Sequence, residues 1–462
     1  LYAALLAGTR LYGLFPELVG ALGMALTTAV AVFLSRRHGP IVAILGLLGG
    51  FLTPIWIGGE TPRPWMLLFY LVLLQAGLFG VSRRMRWTAV TVMTQIAALG
   101  WSALWLIDRD GLGGGTTVVG LYLLGSIVAG TLAAVSPAEA TPTKWSLARL
   151  QSVVGTAVGV ILMGVLVGAG EFGWVEWTYF AILGAGCLVL ATRQSRYESL
   201  PWLAAAVGVV TLTTWGLGLS PTDHARFWVM SFGMIVLYVG GGYLALWRGD
   251  RPDRWAAFAG LAGVAYLLTA YAGLLDAGFA IPWGLQAALL AGVFVALAYP
   301  VHLARRQLPR GDSALAALAI AASTLVTFAI AMELEHQWIA VLWSLEIPAL
   351  VWLAGRLRLR PLVTMAAAVG SLVAIRLLVN PNLFDYPIGD TVILNWTLYG
   401  YGVPMIMLLV SAGILRRAGE RIMAEVAEVA TAVLGFAFLT INVRQFFHPG
   451  RLDASGFAFA EI

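Results

Sequence analysis

The sequence predicts an all-helical bundle that crosses a membrane many times. Of its 462 residues, 60% are hydrophobic and 11% charged, and the mean hydropathy is +0.86. A soluble domain carries roughly 25% charged residues, so a water-soluble fold of this size is excluded. The charges fall in short clusters. Between them run stretches of roughly 20 apolar residues, the length that spans a hydrocarbon core about 30 Å thick. These stretches are continuous rather than alternating in polarity, which selects helices over barrel strands, because backbone polar groups in lipid must be satisfied internally.

Taken in order, the chain opens at Leu1 inside an apolar run, which gives a partial span at 1–9 and the expectation of a fragment of a longer protein. Full spans are expected at 18–34, 40–58, 64–82, 87–107, 116–135, 147–168 and 174–192. They continue at 200–219, 225–247, 254–274, 281–302, 313–332, 336–356, 361–379, 392–415 and 422–442, about 16 full spans in all. No connection is long enough to fold as a soluble domain, so 1–462 reads as a single transmembrane region. A P-loop is excluded, since Lys144 is the only lysine and no glycine-rich turn precedes it. The one cysteine, Cys187, falls inside a span, which leaves no disulfide framework and no cysteine metal site. The sequence calls for no cofactor and no metal.

The basic residues test this segmentation, because Lys and Arg are retained in short cytoplasmic connections. Alternate connections hold Arg36 and Arg37, then Arg83, Arg84 and Arg86, then Lys144 and Arg149, then Arg193 and Arg196. The alternation continues through Arg248 and Arg251, Arg305 and Arg306, Arg356 and Arg358, and Arg416 and Arg417. The intervening connections carry scattered arginines and acids such as Asp108, Asp110, Glu171, Glu176, Glu333 and Glu335. The expectation is a multi-pass protein of a bacterial inner (plasma) membrane, with 444–462 on the periplasmic side. The net charge of +5 needs no nucleic-acid partner.

Four helices begin with a tryptophan after a basic connection, in MRWTAV, TKWSLA, LPWLAA and DRWAAF. Trp87, Trp145, Trp202 and Trp255 would mark tandem helical hairpins. An interfacial aromatic belt produces the same spacing.

The stretch GLLGGFLTPIWIGGETPRPWMLLFYLVLLQAGLFGVSRRMRW, from Gly46 to Trp87, resembles the start of the domain of unknown function 2339 family of predicted bacterial membrane proteins. Later blocks resemble the same family: WSLEIPALVWLAGRLRLRPL, AIRLLVNP, NWTLYGYGVP and INVRQFFHPG. The resemblance implies a larger polytopic protein with further helices on both sides. It implies no activity and carries over no catalytic residue.

Glu346 and Arg376 stand out as ionisable residues that lie within spans rather than at their ends. A charge near the bilayer centre costs about 2.5 to 3.5 kcal/mol, so it is normally paired or faces water. The two helices are consecutive and antiparallel, and the Cα levels of the pair differ by about 9 Å, a gap that a long arginine side chain nearly bridges. Pro348 removes a backbone donor close to Glu346 and frees a carbonyl near Ser344. A broken helix beside a mid-depth acid is how transporters build polar sites. Glu346, Arg376, Pro348 and Trp343 are therefore expected to form either a substrate cavity or a buried ion pair. The acidic doublets Asp108/Asp110 and Glu333/Glu335 would suit a membrane glycosyltransferase, whose outward acids bind a metal or take a proton.

The functional expectation is binding or translocation of an envelope-related lipid or glycan through a polar cavity. A glycosyltransferase-type enzyme and a scaffold subunit of a membrane complex are the alternatives. Expected partners are membrane lipids, other membrane subunits or a lipid-linked glycan, and no nucleic acid.

Overall fold

The computed structural model describes residues 1–57, 64–107, 115–134, 147–275, 277, 282–334, 337–379 and 395–447. It is all-helical. The first nine helices are α1 (Tyr2–Leu6), α2 (Glu17–His38), α3 (Pro40–Ile57), α4 (Pro64–Met85), α5 (Thr88–Ile107), α6 (Thr116–Ala134), α7 (Leu147–Ala169), α8 (Trp174–Arg193) and α9 (Leu200–Gly216). The rest are α10 (His224–Ile235), α11 (Gly241–Leu246), α12 (Pro252–Leu274), α13 (Trp283–Ala304), α14 (Gly311–Glu333), α15 (Gln337–Leu357), α16 (Pro361–Val379), α17 (Trp396–Ala418) and α18 (Arg421–Phe447).

Among the described residues, 14 helices are long and apolar enough to cross a membrane, and the protein is a multi-pass membrane protein. A π-turn at Val236–Gly240 joins α10 and α11 into one crossing, Pro221–Leu246. The two further spans expected from sequence fall on α2, which ends in Arg36, Arg37 and His38, and on α3, whose apolar stretch Pro40–Ile55 is shorter than the others. The expected partial span is α1 followed by a π-turn at Ala7–Leu11.

Local chemistry sets the helix ends. Pro40, Pro64, Pro252 and Pro361 each open a helix, where the missing N–H costs nothing and the fixed φ is already helical. Arginines close several crossings: Arg83 and Arg84 on α4, Arg193 on α8, Arg356 on α15, and Arg416 and Arg417 on α17. Within the crossings, hydroxyls return to carbonyls of the preceding turn, as Thr94 does to Val90 and Thr156 to Ser152 at 2.7 Å each. Such bonds satisfy these hydroxyls within their own helix, where hydrocarbon offers no partner.

The chain divides into two compact units, Leu1–Leu237 with Ala272–Ala277, and Tyr238–Tyr271 with Gly278–Ile462. In the first, α7 packs against α5, α6, α8 and α9. Its glycines admit these neighbours: Gly155 faces Gln95 of α5, Gly159 faces Ile127 of α6, and Gly164 faces Val207 of α9. One end of this unit is an aromatic cluster in which Trp215 stacks on Phe172 at 5.0 Å and meets Phe227 edge-on at 5.2 Å. In the second unit α13 packs along α14, and α15 packs against both α16 and α17. Trp255, expected at an interface, is buried and abuts Gly249.

Candidate functional site

Glu346 lies eight residues beyond Trp338 and eleven before Leu357 in its crossing, near mid-depth, and is half-buried. Its partners come from the antiparallel neighbour α14. Ser323 and Thr327, four residues apart, share one helix face there. Ser323 Oγ donates to Glu346 Oε1 at 2.5 Å, and Thr327 Oγ1 donates to Oε2 at 2.9 Å. The Thr327 hydroxyl also lies 3.0 Å from the Ser323 carbonyl, so its single proton is shared between that carbonyl and the carboxyl group. One turn before Glu346, the Trp343 indole N–H donates to the Thr327 carbonyl at 2.8 Å. Within one turn, then, α15 is tied to α14 by two hydroxyls and an indole.

The expected Glu346–Arg376 ion pair does not form. Among the described residues no arginine, lysine or histidine lies within ion-pair distance of Glu346. Arg376 is half-buried near the end of α16 and makes its contact elsewhere. The reason is one of level: Ser323 and Thr327 stand at the depth of Glu346, whereas Arg376 lies about 9 Å further along the helix axes. A carboxyl with two donors at hand has no need to recruit a distant guanidinium, whose own desolvation would oppose the pairing.

Pro348 sits inside α15 as expected, and the Ser344 hydroxyl is occupied by the Val341 carbonyl at 2.6 Å. A cavity of about 150 Å³ bounded by α15 to α18 adjoins this region. Ile347, Gly370, Ser371 and Ser411 line it, while Glu346 and Trp343 do not. The carboxyl thus keeps two neutral partners and spare acceptor capacity, since two carboxylate oxygens accept roughly four hydrogen bonds.

Of the acidic doublets, only Glu333 is among the described residues. Asp108, Asp110 and Glu335 lie outside the described residues. Glu333 is exposed at the end of α14 and packs over Gly284 of α13. Among the described residues no group of three His, Cys, Asp or Glu side chains converges as a metal site would. Glu176, read from sequence as a connection acid, is instead 6% exposed in the first turn of α8 and accepts a hydrogen bond from Thr116 at 2.6 Å.

Two of the later sequence blocks meet in space. Asn395 caps α17 by accepting from the Thr397 N–H at 2.8 Å, and its amide donates to Gln445 of α18 at 2.6 Å. The stretches NWT and NVRQ are therefore two sides of one polar latch.

Residues 1–175 match the family described as Predicted membrane protein (DUF2339). The DUF2339 match includes the Gly46–Trp87 block and ends at the start of α8, so the Glu346 site and the Asn395 latch lie beyond it. No curated protein and no solved structure matches the chain.

Sequence reasoning missed Ser323 and Thr327. The signal was present as two hydroxyl residues at a spacing of four in the crossing before Glu346, but hydroxyls at that spacing also arise from ordinary back-bonding, which Thr324 on the same helix displays.

Proposed function

We propose that this protein binds an envelope-related lipid or glycan and moves it across a bacterial inner membrane, with Glu346 as the polar contact at mid-depth. The observation that supports this reading is a membrane-embedded carboxyl held, among the described residues, by the neutral hydroxyls of Ser323 and Thr327. An intramembrane acid serving purely as a structural lock is best balanced by a cation, and Glu346 has none within reach among the described residues. Its hydroxyl partners fix the carboxyl's orientation and leave lone pairs for a proton, a cation or a substrate hydroxyl. Pro348, two residues on, weakens the helix where a passing group would need backbone acceptors.

In this reading the arginine-bearing connections face the cytoplasm, as short basic connections do. Membrane lipids and a lipid-linked glycan are the partners, and the protein is a carrier rather than a glycosyltransferase.

The test is reconstitution of the full chain into vesicles with a fluorescent isoprenoid-phosphate-linked sugar, whose movement is followed by quenching from outside. Wild-type protein is expected to move the probe, and Glu346→Gln to abolish movement without shifting the unfolding temperature by more than a few degrees. Equal rates for the two proteins would remove Glu346 from the function.

A further inference from the structure

In the first unit α2 and α4 run in the same direction, with α3 returning between them, and α2 packs directly on α4. Their relative level is set at Gly50 of α3, which meets the side chains of Thr28 on α2 and Leu74 on α4. Arg36 lies eight residues beyond Thr28 and Arg83 nine beyond Leu74, so both stand about 12 to 14 Å past Gly50 at 1.5 Å per residue. Arg36 and Arg37 therefore end one helix beside Arg83 and Arg84 at the end of the other. His38 closes α2, and Arg86 occupies the turn into α5.

All six of these side chains are exposed. Among the described residues none has a carboxylate within ion-pair distance. The sequence offers none nearby, since residues 18–59 and 61–107 contain no Asp or Glu, while Glu17 opens α2 and Glu60 falls between α3 and α4. The second unit treats its connection arginines differently: Arg310 meets Asp253 at 3.5 Å, Arg360 meets Glu420 at 3.3 Å and Arg416 meets Glu428 at 2.6 Å. A chain that supplies counter-charges there leaves five arginines uncompensated at the ends of α2 and α4. Like charges gathered in this way repel, and an anion between them removes the repulsion.

The surface next to the arginines specifies the anion. Phe33, Leu34 and Met85, within one turn of them, are exposed, and the Arg36 guanidinium lies 5.8 Å from the centre of the Phe33 ring. A ligand that covers both surfaces needs an anionic head and an apolar tail. We propose that the ends of α2 and α4 bind the phosphate headgroup of an anionic phospholipid, with an acyl chain along Phe33 and Leu34. Guanidinium groups suit that headgroup, because each presents paired N–H donors to two phosphate oxygens. Clusters of roughly four to eight basic residues beside a crossing attract anionic lipid by the same electrostatics. A free phosphate or an acidic protein would engage the arginines and leave the apolar strip uncovered. The site is separate from Glu346 and does not rest on the proposed transport function.

The experiment uses the full chain in phosphatidylcholine nanodiscs containing a minor fraction of phosphatidylglycerol with a photoactivatable diazirine in its acyl chain. Labelled peptides are mapped by mass spectrometry. Nanodiscs expose both leaflets, so the readout does not depend on which side of the membrane these ends face. The expected result is labelling of α2 near Phe33 that unlabelled phosphatidylglycerol competes at least about fivefold better than phosphatidylcholine, the ratio one arginine contact supplies. High salt should shrink that preference, as screening requires. Two double variants, Arg36→Gln with Arg37→Gln and Arg83→Gln with Arg84→Gln, should each lower it at least about twofold. Arg416→Gln with Arg417→Gln, in the second unit, should leave labelling of α2 unaltered. Equal competition by the two lipids, labelling confined to other helices, or a preference that survives high salt and both double variants would overturn the proposal. So would displacement by inorganic phosphate beyond that by sodium chloride at the same ionic strength, which would assign the arginines to a free anion. Capture of fluorescent polyglutamate by the protein in phosphatidylglycerol nanodiscs would overturn it in favour of an acidic protein. The competition and salt measurements use the wild-type protein and decide the matter even where a variant fails to fold.

Discussion

Ser323 and Glu346 are joined by a 2.5 Å hydrogen bond between antiparallel helices near the middle of a membrane crossing, and Thr327 holds the other carboxyl oxygen at 2.9 Å. The carboxyl is thereby positioned by hydroxyls on α14 rather than neutralised by Arg376 on α16. Energetic coupling should follow the same pairing. In a double-mutant cycle of Ser323→Ala with Glu346→Gln, read by thermal unfolding in detergent, a coupling of about 1 kcal/mol is expected. The cycle of Glu346→Gln with Arg376→Gln should give a coupling within about 0.5 kcal/mol of zero. The reverse ranking would restore the ion pair and contradict the geometry.

Trp343 secures the same interface from the α15 side through its bond to the Thr327 carbonyl. Trp343→Phe keeps a ring but drops the donor, so stability should fall by about 1 kcal/mol. Trp352, exposed and engaged with Arg356 by a cation–π contact, provides the comparison. Trp352→Phe should cost less than half as much, and equal losses would show that the indole bond contributes nothing.

The Asn395 latch should also be measurable. Asn395→Ala removes a helix cap and the bond to Gln445 together, with an expected loss of about 1 to 2 kcal/mol. Asn395→Asp retains the capping oxygen and should recover the capping share of that loss. Identical unfolding of all three proteins would sink this account of the latch.

The fold was largely legible because a membrane leaves few choices. Continuous apolar runs must be helices, and the structure places a helix on each expected crossing whose residues it describes. The site was legible in part. Glu346 and Pro348 stand out because their residue types are costly in a crossing, but their partners do not. Ser323 and Thr327 are ordinary residues in any membrane helix, and only the packing of α14 against α15 decides that they turn toward a carboxyl. The Arg376 pairing failed for the same reason, since opposite charges in consecutive helices suggest a pair and only depth decides against it. Glu176 was misjudged because a connection acid is normally solvated, whereas Gly170 and Gly173 leave room here for its carboxyl to fold inward toward Thr116.

Orientation can be read from single cysteines introduced after Cys187→Ala. Cysteines at Arg84, Arg248 and Arg358, all exposed at the arginine-bearing ends, should react only with reagent on the cytoplasmic side. Cysteines at Glu171 and Thr222, exposed at the opposite ends, should react only from outside. Labelling of Arg358→Cys and Thr222→Cys from the same side would break the alternation.

The proposed function requires that Glu346 be reachable from water rather than sealed in protein, and a cysteine at that position tests this most directly. In the Cys187→Ala background, with the protein in lipid vesicles, Glu346→Cys should react with a small charged methanethiosulfonate. Leu345→Cys, exposed on the apolar outer surface of the same helix, should not. Protection of Glu346→Cys by a lipid-linked glycan would strengthen the claim further. Failure of Glu346→Cys to react from either side, with thermal unfolding unchanged, would show the carboxyl to be part of a dry helix contact and contradict the account.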